Sequence, residues 1–209
     1  MDLSGSAILI LAAILAGVVH AFDVDHLVTV ATFSSTGGGR KNSIRFSAHW
    51  AIGHGATILA LAIIVYLMGI KLPAGFFEAA EALVGVVLIG LGVWVFRGIY
   101  RYLKSGHEFV SSHLNLRRKP FAIGTLHGVA GSAPILLAFL VDVHKPLLGL
   151  GLILLFVAGV FVSMIGVGMV LGLAYRRVSG GGGRSIHIAR GVLASLSIFV
   201  GGTLVYGHL

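Results

Sequence analysis

Two imidazoles and two carboxylates crowd into seven residues, His20-Ala21-Phe22-Asp23-Val24-Asp25-His26, inside a stretch otherwise suited only to hydrocarbon. Upstream, Ala7 to Val19 is unbroken apolar residue or glycine; downstream, Leu27 to Phe33 is apolar apart from two threonines. An ionisable side chain at membrane depth is costly and marks a pathway, a relay or a ligand site. Four of them within two turns require a fold that brings partners to them. The expectation is a bundle of spanning helices closed around a divalent transition metal.

The rest of the chain agrees with a lipid environment. Charged residues are 11% of the total and hydrophobic ones 57%, against roughly 25% charged in soluble domains. A spanning helix needs about 20 mostly apolar residues. Six such stretches are predicted, near 4–33, 44–69, 76–103, 121–143, 147–175 and 186–206. The fold class expected is therefore an all-α integral membrane protein with six transmembrane helices. It forms a single membrane domain, 1–209, whose halves 1–104 and 121–209 are joined by the polar loop 104–120. The apolar N-terminal run lacks a basic segment before it and passes straight into the polar motif, so it reads as mature structure rather than a cleaved signal.

Several function classes drop out. The chain has no cysteine, which excludes disulfide relays and thiolate metal sites. No His-Glu-x-x-His occurs, so an intramembrane zinc protease is not expected, nor is any other enzyme. No nucleotide-binding motif is present. The formal charge of +8 lies in short loops between spans, which points to membrane topology and not to nucleic acid. Thirteen basic residues fall on one side of the six-span arrangement: Arg40, Lys41, Arg45, Arg97, Arg101, Lys104, Arg117, Arg118, Lys119, Arg176, Arg177, Arg184 and Arg190. Only Lys71 and Lys145 fall on the other. Basic loops stay in the cytoplasm, so a multi-pass protein of the cell membrane with both termini outside is predicted.

That topology sets depths. His20 to His26 lie in the inner half of the first span, and His49, His54 and His127 one to two turns inside theirs, at about 1.5 Å per residue. Three spans thus bring imidazoles to a similar level. Gly17-Val18-Val19-His20 is echoed by Gly124-Thr125-Leu126-His127, as in two inverted three-helix repeats with a site where they meet. Small-x-x-x-small pairs at Gly124/Gly128 and Gly168/Gly172 permit close helix packing, within one bundle or between copies in a homo-oligomer.

At about 100° per residue, His20, Asp23 and His26 share one helix face, whereas Asp25 points away. Asp25 then supports a ligand, contacts another span, or the helix is distorted here, as irregular helices lining cavities are. Imidazole and carboxylate without thiolate suit a borderline divalent ion such as Ni²⁺ or Co²⁺. His107, His113, His144, His187 and His208 read as ordinary loop or span-end residues, with His107 and His113 able to collect metal at the inner mouth. Glu78 and Glu81 read as interfacial rather than catalytic, near the outer end of the third span, with attraction of cations at the entry side as the lesser reading.

At His20 to His26 the chain resembles the nickel/cobalt transporter family and the related UreH-like membrane proteins. The family signature is His, four residues, then Asp-His, matched here by His20, Asp25 and His26. Ile52-Gly53-His54-Gly55-Ala56-Thr57 approximates the family's Leu-Gly-His-Ser/Thr element, with Gly55 at the Ser/Thr position. His127-Gly128-Val129-Ala130-Gly131-Ser132 resembles a His-Gly-Leu-Ala-Gly-Ser segment of the UreH-like proteins. The eight spans and the paired-acid Gly-Met segment of the nickel permeases are absent. The resemblance implies metal ligation by His20, Asp25, His26 and His54.

The function expected is transmembrane transport of Ni²⁺ or Co²⁺ by alternating access. The metal is cargo rather than cofactor, and no other cofactor is expected. His20, Asp23, Asp25, His26 and His54 form the site, with His49 and His127 as further members. The rival readings are a non-transporting metal-binding accessory protein for a nickel enzyme such as urease, or a membrane haem protein with paired histidines, which the adjacent carboxylates disfavour.

Overall fold

A computed structural model of the chain describes residues 3–36, 39–73, 75–106, 118–131, 146–180 and 183–207. These residues form seven α-helices: α1 Leu3–His20, α2 Val24–Thr36, α3 Arg40–Ala62, α4 Phe76–Ser105, α5 Arg118–Ala130, α6 Pro146–Gly180 and α7 Gly183–Tyr206. The protein is all-α and a multi-pass membrane protein. Four stretches are long and apolar enough to cross a bilayer: Arg40–Leu67, Phe76–Ser105, Pro146–Ser179 and Arg184–Tyr206. The pair Ser6–His20 and Val24–Thr36, bent by 53° at its break, supplies a fifth. Of the predicted span 121–143, only α5 and Gly131 are among the described residues.

The first span is thus two helices rather than one. At its end α1 tightens, with the Asp23 N–H reaching the His20 carbonyl and the Phe22 N–H reaching that of Val19. The Asp23 carbonyl then accepts the Leu27 N–H and opens α2. The carbonyls at the end of a helix need partners from outside it. The His20 carbonyl takes a second donor, His26 Nδ1, at 3.1 Å. Of the three alternatives for the motif, the structure shows distortion of the helix and, with Asp25 3.9 Å from His127 of α5, contact with another helix as well.

Helix lengths also correct the depths. The second span starts at Arg40, not near 44, and its last turn relaxes into π geometry at Ile63–Leu67, where the Met68 N–H bonds the Ile63 carbonyl five residues back. His54 therefore lies about 21 Å from one end and about 20 Å from the other, at mid-depth rather than one to two turns in. His127 sits about 14 Å along α5. The predicted loop 176–184 is shorter, because α6 continues to Gly180.

The helices pack α1 on α6, α5 on α3, α3 on α6 and α4 on α7. Glycines set these distances. A Cβ on Gly124 would fall on the Trp50 carbonyl, and one on Gly128 on that of His54. Gly168 and Gly172 of α6 likewise meet Ser47 and Arg40 of α3. Both small-residue pairs predicted from spacing are spent inside the bundle. The larger core gathers Trp50, Ile58, Phe156, Val160 and Met164; the smaller one gathers Val28, Val84, Leu88 and Val200. Arg190, predicted among the cytoplasmic basic residues, is buried: its Nε donates to the Ser35 carbonyl at 3.0 Å and Nη2 to the Tyr175 hydroxyl at 3.1 Å. It caps the end of α2, where carbonyls favour a cation.

Candidate metal centre

Four helices each deliver one imidazole to the middle of the bundle: His20 at the end of α1, His26 in the first turn of α2, His54 midway along α3 and His127 in the last turn of α5. His26, His54 and His127 are at most 1% exposed. Ring centroids separate His20 from His26 by 4.8 Å, His26 from His54 by 5.0 Å, and His26 from His127 by 5.7 Å. Trp50 walls the group, stacked on His54 at 4.9 Å, while Phe156 packs against His20 at 5.3 Å. Gly131, just past α5, leaves room for the His20 ring.

The protons can be placed from the partners. A carbonyl oxygen only accepts, so a ring nitrogen bonded to one must carry hydrogen. His26 Nδ1 donates to the His20 carbonyl and His127 Nδ1 to that of Ile123, at 2.9 Å. His20 Nδ1 donates to Asp23 Oδ2 at 2.8 Å. Neutral His20, His26 and His127 therefore all present a bare Nε2. Such an outer partner fixes tautomer and orientation in metal-binding histidines. The Thr29 hydroxyl donates to His127 Nε2 at 3.2 Å.

His54 completes the group. Its Nε2 lies 3.3 Å from His20 Nε2, and its Nδ1 is buried without a hydrogen-bond partner. Two nitrogens on one tetrahedral ion, each at 2.0–2.1 Å, stand about 3.3–3.4 Å apart. One ligand atom from each of His20, His26 and His54 lies within 4.8 Å of the others, and the same holds for Asp23, Asp25 and His26. The two triads share His26.

Asp25 does not point away from the motif, because the break at residues 21–23 shifts the helical phase. Its Oδ2 sits 3.6 Å from His26 Nε2 and 3.9 Å from His127 Nε2. Asp23, half exposed, pairs with His20 instead. The structure does not bring His49 into the group: it is half-buried and its Nδ1 donates to the Arg45 carbonyl at 2.7 Å. His187 stacks on Tyr102, at a centroid distance of 3.9 Å. His107, His113, His144, His208 and residues 132–145 lie outside the described residues.

A cavity of about 370 Å³ opens beside the motif, lined by His20, Asp23, Asp25, His26, Val84, Ala130, Gly131, Leu204 and Glu81. Sequence reasoning left Glu81 at the interface, with cation attraction at the entry side only as the lesser reading. Its spacing from the motif carries no signal, since only the packing of α4 beside α5 brings it there.

No family model and no solved structure matches the chain. Its sequence is 30% identical over 172 residues to the urease accessory protein UreH of Bacillus sp. (strain TB-90), an overlap of 76% of this chain and 74% of that protein.

Proposed function

This chain belongs to the family of the urease accessory protein UreH, and from that premise we propose that it moves nickel ions across the membrane through the imidazole group at its centre. The observation that carries this reading is the convergence of His20, His26 and His54, three nitrogen donors from three helices in a protein without thiolate. Imidazole suits nickel better than it suits magnesium or calcium, and a urease accessory role gives nickel precedence over cobalt. His20, His26 and His54 bind the ion; Asp25 and His127 stand next to them, and Asp23 orients His20. Metal affinity and specificity come from these side chains, while movement comes from the helices that carry them.

The packing supports the inverted-repeat arrangement as the machinery. Exchanging α1 for α5 and α6 for α3 preserves the contacts. Gly17 abuts Phe156 with His20 against that ring; Gly124 abuts Trp50 with His127 against that ring. Gly53 abuts Phe121 as Gly159 abuts Ile14, and Gly85 and Gly201 meet reciprocally. In this reading the chain has six spans, both termini outside, and two halves that rock about the shared site.

The test is the nickel content of host cells expressing wild type or His26→Ala, measured by elemental analysis. A change in cellular nickel that His26→Ala abolishes is the expected result. Equal nickel in both, together with nickel binding by the purified wild type, would favour instead a protein that holds the ion for urease without moving it.

A further inference from the structure

The cavity beside the motif has a composition unlike that of the imidazole group. Among the described residues its lining carries three carboxylates, Asp23, Asp25 and Glu81, and neither lysine nor arginine. Glu81 comes from α4, which contributes nothing to the four imidazoles, and it projects into the cavity from the first turns of that helix. A low-dielectric cleft lined by one sign of charge raises the local concentration of the opposite ion.

A second observation points to a cation there. His26 lines this cavity and is 1% exposed. Its Nδ1 is spent on the His20 carbonyl, so its Nε2 offers a lone pair toward Asp25 Oδ2, at 3.6 Å. No hydrogen bond among the described residues reaches that nitrogen. Two acceptors facing one another across 3.6 Å repel unless a donor or a cation stands between them. The second triad, Asp23, Asp25 and His26, has this form.

We propose that Glu81, Asp23 and Asp25, with His26 at the inner edge, form a separate oxygen-rich outer station for a partly hydrated divalent cation, from which the ion passes to His20, His26 and His54. This rests on the transport reading above. The division of labour follows from ligand chemistry. Carboxylate and water suit harder or still-hydrated ions, and imidazole suits nickel. The outer station admits divalent cations broadly, the inner group selects, and His26 belongs to both.

The test uses Mn²⁺, an oxygen-preferring ion with a paramagnetic readout, on the full-length protein in lipid nanodiscs. Electron paramagnetic resonance is expected to show Mn²⁺ bound by wild type, weakened at least tenfold in Glu81→Gln, restored in part by Glu81→Asp, and unchanged in Glu78→Gln, an exposed neighbour on the same helix. His54→Ala should lose nickel affinity while keeping Mn²⁺. Equal Mn²⁺ binding by wild type and Glu81→Gln, or none by wild type, overturns the outer station. The two readings fail separately. Nickel uptake that depends on His26, with Mn²⁺ binding indifferent to Glu81, sinks only this proposal. Glu81-dependent Mn²⁺ binding without any uptake sinks only transport.

Discussion

Asp23 acts on the imidazole group without belonging to its nitrogen triad. It holds the His20 proton on Nδ1, and the bare Nε2 follows from that bond. Removing such an outer partner costs metal-binding sites about 10–100-fold in affinity. Asp23→Ala should therefore weaken nickel binding by that factor in a titration of purified protein, while His49→Ala stays within about twofold. The same titration should show affinity falling on acidification, because a protonated imidazole has no lone pair to give. At this scale the sequence was readable where charge had no cheaper home than a site. His20, Asp23, Asp25 and His26 stood out against hydrocarbon on both sides. The direction of Asp25 was not readable, since a helical wheel presumes a phase that the turn at residues 21–23 interrupts.

Among the elements, the pairing of α3 with α5 controls the centre, since it seats His54 beside His127. Gly124 and Gly128 make that pairing close. Gly124→Val would push a side chain into the Trp50 main chain, which cannot yield as a flexible side chain would. Overpacking of this kind costs about 1–3 kcal/mol. The expected outcome is a lower melting temperature and weakened nickel binding, whereas Gly90→Val, with open space at its Cβ position, should retain both. Element existence was legible because apolar runs of this length leave few alternatives to a helix. Boundaries were less so. Arg40 and Lys41 extend α3 outward as helix, although their charge and the glycines before them resemble a loop. Glu81 shows the deeper limit, because its neighbours come from α5, α7 and the motif, all remote in the chain.

For the molecule as a whole, the basic residues make orientation testable. Because the chain has no cysteine, single-cysteine variants have no background. Lys71→Cys should react with a membrane-impermeant thiol reagent on intact cells, and Ser105→Cys only after permeabilisation; the opposite pattern would reverse the topology. The cavity extends from the motif toward Glu81 and Leu204, at the end where α4 begins and α7 finishes. On the proposed orientation it faces outward. The break after His20 carries a mechanical meaning within this frame. Asp25 and His26 ride on α2, a short rod fastened at its far end by Arg190, while His20, His54 and His127 ride on three other rods. Donors carried on separate helices need not move together. On the proposed transport reading, tilting α2 would spread the nitrogen donors in the same stroke that opens a route past them, so that occupancy and release would be one coordinate and the affinity of the centre would itself act as the gate.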